Sequence, residues 1–218
     1  GHRVYGPVKR GSAVPFLLPL ASFIVLLGVF PLLWSLAASF ARFSLGAPPS
    51  FAGLANYERL LGDYRFWNAL RVTLTFAAAA TLAETALGFG LAVLLHETGT
   101  SAGRWRAMLM LPFFMAPVAL GYLGLTVFHE EAGPLALALR AAGLPAIPWL
   151  SDGRWALASC LLVDLWAWTP FCFLILHAAL QAQPPDLFEA ARLEPLTRWQ
   201  RVRWLHVPLL RPAIGLVL

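Results

Sequence analysis

The residues of this chain whose types and spacing invite chemistry fall into two groups: a polar island near the end, and two acids set inside apolar stretches. The island, residues 184–206, opens with Pro184-Pro185 and carries Glu189, Ala190, Ala191, Arg192, Glu194 and Pro195, then Thr197, Arg198, Gln200, Arg201 and Arg203. It is not a catalytic constellation. The five histidines are scattered, His96-Glu97 lacks a second histidine four residues after His96, and no nucleophile stands with a base. No catalytic residue is assigned, and the chain is not expected to be an enzyme. A phosphate-binding loop needs a lysine after its glycine, and the one lysine, Lys9, lies in no such motif. Cys160 and Cys172 fall in one apolar stretch and read as small buried residues. Without a Cys/His cluster of metal-ligand spacing, neither a metal nor a cofactor is expected.

The two acids are Glu84 and Asp164. A charge at the centre of a bilayer costs about 2.5–3.5 kcal/mol on insertion scales, so such residues usually face protein or water. Two readings stand: they line a path through the membrane, or they join helices by a structural hydrogen bond. Trp166, Trp168 and Phe171 lie near Asp164 in sequence. They read either as an aromatic wall for the CH face of a sugar or as lipid-facing and core residues.

The elements that must position these groups are membrane helices. Of 218 residues, 59% are hydrophobic and 12% charged, against about a quarter charged in a soluble domain. Apolar stretches run over roughly 16–40, 69–95, 107–128 and 155–180, and a fifth starts near Val207. A bilayer core of about 30 Å needs about 20 helical residues, and all four complete stretches suffice. The expected fold is all-α, a polytopic helical membrane protein, with residues 1–218 in a single transmembrane domain. The first stretch is too long for a signal-peptide core of about 7–15 residues. The chain begins with Gly and stops within an apolar run, so residues are expected to be missing at both ends.

The net charge of +5 follows topology. With the N-terminus in the cytoplasm, inside segments hold Arg3, Lys9, Arg10, Arg104, Arg106, Arg192, Arg198, Arg201, Arg203 and Arg211. Outside segments hold Arg42, Arg59, Arg65, Arg71, Arg140 and Arg154. That asymmetry is the positive-inside bias; it points to membrane lipid as the surroundings and away from nucleic acid.

Locally, Pro15, Pro19 and Pro31 predict a kinked first span, and Asn56 is placed to cap a short helix. Small residues (Ala77–Ala80, Ala83, Gly88, Gly90) predict close helix approach in the second. Ser151 or Asp152 is placed to start the fourth. In the island, Asp186 with Glu189 predicts a cap for a helix from Leu187 to about Leu193, stopped by Pro195. Thr197 with Gln200 predicts a capping box opening a second helix to about His206, and Pro208 marks the passage to the fifth span. That second helix puts Trp199, Val202 and Leu205 on a membrane-facing side, with Arg198 and Arg201 opposite in water. Ala190 and Ala191 are small enough for a tight groove, flanked by Glu189 and Arg192 for ion pairs.

The island resembles the "EAA" loop of bacterial ABC-importer permease subunits, a run of E-A-A-x-x-D-G-A-S-x-x-Q followed by an I-x-L-P-L-L-R-P-like ending. The match covers Glu189, Ala190, Ala191, Gln200, Pro208, Leu209, Leu210, Arg211 and Pro212, with Glu194 for Asp and Thr197 for Ser. Gly53-Leu-x-Asn-Tyr57, Phe66-Trp-Asn-Ala-Leu70, Leu111-Pro112 and Trp149-Leu-Ser-Asp152 are similar to the sugar-type branch (maltose and glycerol-phosphate permeases). One departure is Pro195 where the family has glycine, which implies either a coupling helix set at a different angle or a divergent member of the family.

The resemblance implies a multi-pass subunit of the bacterial inner membrane. ATP-binding cassette subunits would grip Glu189, Ala190, Ala191, Arg192, Glu194 and Pro195; a second permease subunit and an extracytoplasmic solute-binding protein would complete an importer. It also implies six spans, the last of them beyond Leu218. The rival readings are a proton-coupled secondary transporter using Glu84 or Asp164, a membrane-embedded enzyme, and the amino-acid or peptide branch of ABC permeases.

Overall fold

The computed structural model describes residues 14–44, 46–98 and 107–218. The basic residues expected to set the topology at Arg3, Lys9, Arg10, Arg104 and Arg106 lie outside the described residues. The chain divides into two compact units, Gly1–Leu70 and Arg71–Leu218.

In the first unit, α1 (Val14–Ile24) passes into α2 (Phe30–Ser39) through one wide turn at Val25–Val29. The proline there explains the turn. The ring of Pro31 would clash with the carbonyl four residues earlier; instead the Phe30 N–H bonds five residues back, to Val25, and the widened turn lets the helix continue. The span Leu17–Ser39 is 0% buried within the chain. After it comes a small antiparallel hairpin, β1 (Ala41–Ser44) and β2 (Ala47–Phe51), with Ala41 opposite Phe51. Pro48 and Pro49 sit in β2, a position two-stranded edges tolerate.

Asn56 does not cap the following helix, α3 (Ala55–Leu61), whose N-cap is Leu54. Its amide instead donates to the carbonyls of Ser39 (2.8 Å) and Ala41 (3.0 Å). The Ser39 carbonyl, in the last residue of α2, has no helical partner, and the Ala41 carbonyl opens β1; a side chain with two donors serves both. The Ser39 hydroxyl is 2.6 Å from the Tyr57 hydroxyl, closing the same knot.

α4 (Tyr64–Thr98) is 35 residues long, about 50 Å at about 1.5 Å per residue. It is therefore longer than a bilayer core of about 30 Å requires. The third apolar stretch is not a straight span. α5 (Ala107–Phe114) and α6 (Pro117–Val127) meet at 100°. Pro117 forces Ala116 into extended backbone (ψ 139°), and Met115 is extended too (ψ 141°), so two consecutive residues leave the helix. α7 (Pro134–Ala141) ends in a Schellman turn at Gly143 (φ +69°). Gly143 N–H bonds Arg140 O (3.1 Å) and Leu144 N–H bonds Leu139 O (2.9 Å), the paired bonds that a left-handed residue allows.

α8 (Gly153–Gln181) starts at Asp152, whose carboxylate accepts from the N–H groups of Arg154 and Trp155. Of the two expected starters, Asp152 is therefore the cap. α9 is Pro185–Leu193. Its N-cap is Pro184, with no side-chain cap, so Asp186 lies within the first turn and does not cap it. Proline at the first helical position supplies the helical φ without losing a needed donor, which makes an Asx cap superfluous. The helix stops at Glu194, extended (ψ 139°) ahead of Pro195.

The Thr197–Gln200 capping box forms as expected and opens α10 (Arg198–Arg201). No break follows at His206. The helix widens at Val202–His206, with Val207 N–H bonded to Val202 O, and continues as α11 (Val207–Val217). The wide turn ahead of Pro208 repeats the device used ahead of Pro31.

The apolar core joins α4, α8 and α11: Ala92, Val93 and Leu95 against Phe173, Leu176, Leu180 and Leu210. Gly88 of α4 shows how close the first two come. A Cβ there would lie 2.7 Å from the Cys172 Cβ and 2.8 Å from the Phe173 nitrogen. Gly90 has no such neighbour within 4 Å.

Candidate functional site

Within the spans, α4 and α8 bring Glu84 and Asp164 together, close enough for a side-chain hydrogen bond. Glu84 Oε1 is buried without a hydrogen-bond partner. Asp164 also borders a cavity of about 390 Å³ between α4, α6 and α8, with Phe76, Leu120, Gly121, Phe128 and Trp168 among its walls. Glu84 does not line that cavity but touches Asp164, which does.

The aromatic grouping differs from the sequence expectation. Trp168 and Phe171 do meet (ring centroids 6.2 Å apart), and Phe113 of α5 joins them at 5.8 and 5.7 Å, stacked on Phe171 at 13°. Trp166, two residues from Trp168, points away around the helix. It lines two other cavities, of about 390 and 220 Å³. Phe113 sits in the turn ahead of the 100° bend, and only the bend brings it to α8; a straight third span gave no signal of it.

The island places Glu189 and Ala190 exposed on α9, Ala191 half-buried, and Glu194 and Pro195 exposed after it. Arg192 is on the same helix. The second helix is oriented differently from the expected surface helix. Val202 packs on the apolar core and Arg201 turns inward to Glu97 (3.7 Å), while Trp199 stays on the outer surface of the chain. The wide turn at Val202–His206 changes the residue-per-turn count, so a face drawn at 3.6 residues per turn does not persist.

Three residues that the sequence reading passed over meet here. Phe188 of α9 lies 4.4 Å from the ring of His96 at the end of α4 and 6.1 Å from that of His206, measured between centroids. Histidines without metal spacing gave no signal in sequence. His177 is buried in α8, stacked on Phe173 at 5.3 Å, with Nδ1 3.4 Å from the Ala92 carbonyl.

The connection from α6 to α8 is pinned by Glu130. One carboxylate oxygen accepts from the N–H groups of Leu150 (2.9 Å) and Ser151 (2.8 Å), and the other from the Ser151 hydroxyl (3.1 Å). These bonds favour the charged form and lower the Glu130 pKa from its ordinary value. A carboxylate whose folded pKa is depressed contributes stability above its unfolded pKa and loses it as pH falls through the folded one. Amide protection factors at Leu150 and Ser151 are expected to fall as pH drops below the usual carboxylate range. Glu130→Gln should lose the same protection at neutral pH.

The described residues thus form an all-α integral membrane protein with three helices long and apolar enough to cross a bilayer, or four if the bent pair is one span. An exposed polar helix lies between α8 and α11. Residues 84–215 match the family described as binding-protein-dependent transport system inner membrane component. The chain is 35% identical over 210 residues to the probable ABC transporter permease protein y4oQ of Sinorhizobium fredii, covering 95% of this chain and 68% of that one. It is 30% identical to the trehalose transport system permease protein SugA of Mycobacterium tuberculosis, over 96% of this chain and 68% of that one. Its fold matches the crystal structure of a bacterial alginate ABC transporter in complex with an alginate pentasaccharide-bound periplasmic protein (TM-score 0.79, 22% identity, 98% of this chain and 72% of that one). The chain belongs to the binding-protein-dependent transport system inner membrane component family, the permease subunits of ABC transporters.

Proposed function

We propose that this chain is the membrane-spanning subunit of an ATP-driven sugar importer, forming part of the path for the solute and taking its drive from a separate ATP-binding subunit gripped through α9. The observation that carries the proposal is the exposed pair Glu189-Ala190 on a short helix between membrane helices, in a sequence whose one lysine lies in no phosphate-binding loop. Relatives named for trehalose, trehalose/maltose and lactose transport support a sugar, and one named for sn-glycerol-3-phosphate keeps a phosphorylated polyol open. A binding protein outside the cell, a second permease subunit and a cytoplasmic N-terminus complete the assembly.

The cavity beside Asp164 fits the solute path. Trp168 offers a flat apolar face for sugar CH groups, and Asp164 an acceptor for hydroxyls. The unpartnered Oε1 of Glu84 stands one side chain further back; an unmet buried acceptor costs about 1–3 kcal/mol, which a water or hydroxyl relieves. The test is uptake in vesicles carrying the assembled transporter. Asp164→Asn is expected to lower sugar uptake about 10-fold or more, from loss of roughly 1.5–3 kcal/mol of charge-assisted contact, and Trp168→Ala about 2–10-fold, from loss of roughly 0.5–1.5 kcal/mol of stacking contact, with assembly unchanged. Uptake at wild-type level in both variants removes the path from this cavity. Uptake by the lone chain under a proton gradient would replace the proposal with a proton-coupled transporter using Glu84 or Asp164.

A further inference from the structure

We infer that His96, Phe188 and His206 form a ring joint that carries displacement of α9 directly into α4 and α11. The inference rests on the reading of α9 as the helix gripped by the ATP-binding subunit, and adds the residues that pass the motion on.

The joint is built from three elements. The Phe188 ring lies 4.4 Å from that of His96 on the last turn of α4. It is stacked on His206, at 6.1 Å and 24°, where the wide turn enters α11. The two imidazoles are 6.4 Å apart, edge to face. His206 is 1% exposed, so the group is closed from behind. Phe188 also packs against the core shared by α4, α8 and α11. A second tie runs beside the rings, Glu97 of α4 to Arg201 of α10 at 3.7 Å.

The register of α9 makes this arrangement a lever. Phe188 faces inward and half-buried, while the next residue, Glu189, is exposed to a partner. On its inner side the joint is packed against buried His206 and the core, and such close packing transmits displacement rather than absorbing it; on its outer side His96, Phe188 and Glu189 border an open pocket of about 520 Å³. A shift of α9 cannot leave the Phe188 ring in place, and that ring has the end of one span on one side and the start of another on the other. The rings, tilted 54° at His96 and 24° at His206, are rigid plates, so a push on one is passed to its neighbours rather than taken up by a change of rotamer, as a flexible aliphatic side chain in the same space allows.

The experiment uses the complete transporter with its own ATP-binding subunit and binding protein, reconstituted in lipid vesicles. Two quantities are read: copurification of the ATP-binding subunit, and solute taken up per ATP hydrolysed. Phe188→Ala and His206→Ala are expected to copurify normally and to lower the uptake-to-ATP ratio by roughly 2–30-fold, the range for residues carrying coupling between sites. His206→Phe keeps a ring of similar size and is expected to hold the ratio near wild type. An unchanged ratio in the two alanine variants overturns the joint, as does a His206→Phe ratio as low as that of His206→Ala. Should Phe188→Ala not assemble, Phe188→Leu decides: it keeps apolar volume without the flat ring, and a wild-type ratio there overturns the joint. Glu189→Arg separates the two levels of the argument. Normal copurification in that variant removes α9 as the gripped helix; lost copurification with wild-type ratios in the ring variants removes only the joint.

Discussion

Ala190→Asp is expected to abolish ATP-driven uptake, through a fall of roughly 30–1,000-fold in the affinity for the ATP-binding subunit. The magnitude is that of a hot-spot residue at the centre of an interface, about 2–4 kcal/mol. Ala190 is exposed on α9, two residues after the inward-facing Phe188 and followed by half-buried Ala191. A methyl side chain lets the α9 backbone approach a partner surface; a carboxylate adds both volume and a charge that must be desolvated there. Glu189→Ala acts on the same face but removes a group rather than inserting one, so its effect is expected to be smaller, about 10-fold. Its carboxylate is exposed, and among the described residues no salt bridge within the chain engages it. Neither substitution touches the core of α4, α8 and α11, so the chain should still insert and fold. The check is copurification of the ATP-binding subunit with the membrane-extracted chain, alongside uptake. Wild-type assembly and uptake in both variants would end the docking role of this helix.

The sequence made legible what depends on local rules. The capping box at Thr197 and Gln200, the Asp152 cap and the stop ahead of Pro195 all follow from side chains within a few residues of the backbone groups they affect. The failures share a cause: a distant partner outbid the local one. Asn56 has the composition of a helix cap, yet the carbonyls it serves belong to Ser39 and Ala41. Pro208 predicts a boundary, but the helix runs on through a wide turn whose placement depends on the whole helix; the same kind of turn stands ahead of Pro31, where the sequence predicts a kink. Val202 and Arg201 moved to the inside face for the same reason. In the candidate site, Glu84 and Asp164 were legible because an acid in an apolar run is costly wherever it sits. A helix-joining hydrogen bond was one of the two readings, but that the acids bond to each other was not legible, since it depends on how α4 packs on α8. The ring group of His96, Phe188 and His206 was invisible, because three residues more than 90 positions apart in part carry no shared period.

Gly88→Ala is expected to destabilise the helical bundle by about 1–3 kcal/mol, the range for overpacking a tight interior, and to reduce uptake with it. The added Cβ would stand 2.7 Å from the Cys172 Cβ and 2.8 Å from the Phe173 nitrogen. The second neighbour is backbone within a helix and has no rotamer by which to yield. α4 and α8 must then separate, and in lipid that separation is costly in a particular way: apolar side chains gain little by leaving the membrane's own hydrocarbon, so helix association depends on close van der Waals fit. Gly90→Ala is the internal control. It has open space within 4 Å, and alanine there is expected to be neutral or to stabilise by up to about 1 kcal/mol through helix propensity. Cys172→Gly should not rescue Gly88→Ala, because the Phe173 nitrogen remains in the way. Thermal unfolding of the purified protein in detergent checks all three, and equal stability for the Gly88 and Gly90 variants would show that the two helices do not meet at this distance. The consequence for transport follows from position. Gly88 stands one helical turn from Glu84, so a change that prises α4 from α8 also draws Glu84 away from Asp164. Loss of uptake in Gly88→Ala beyond its loss of folded protein would therefore tie the carboxyl pair to the path itself.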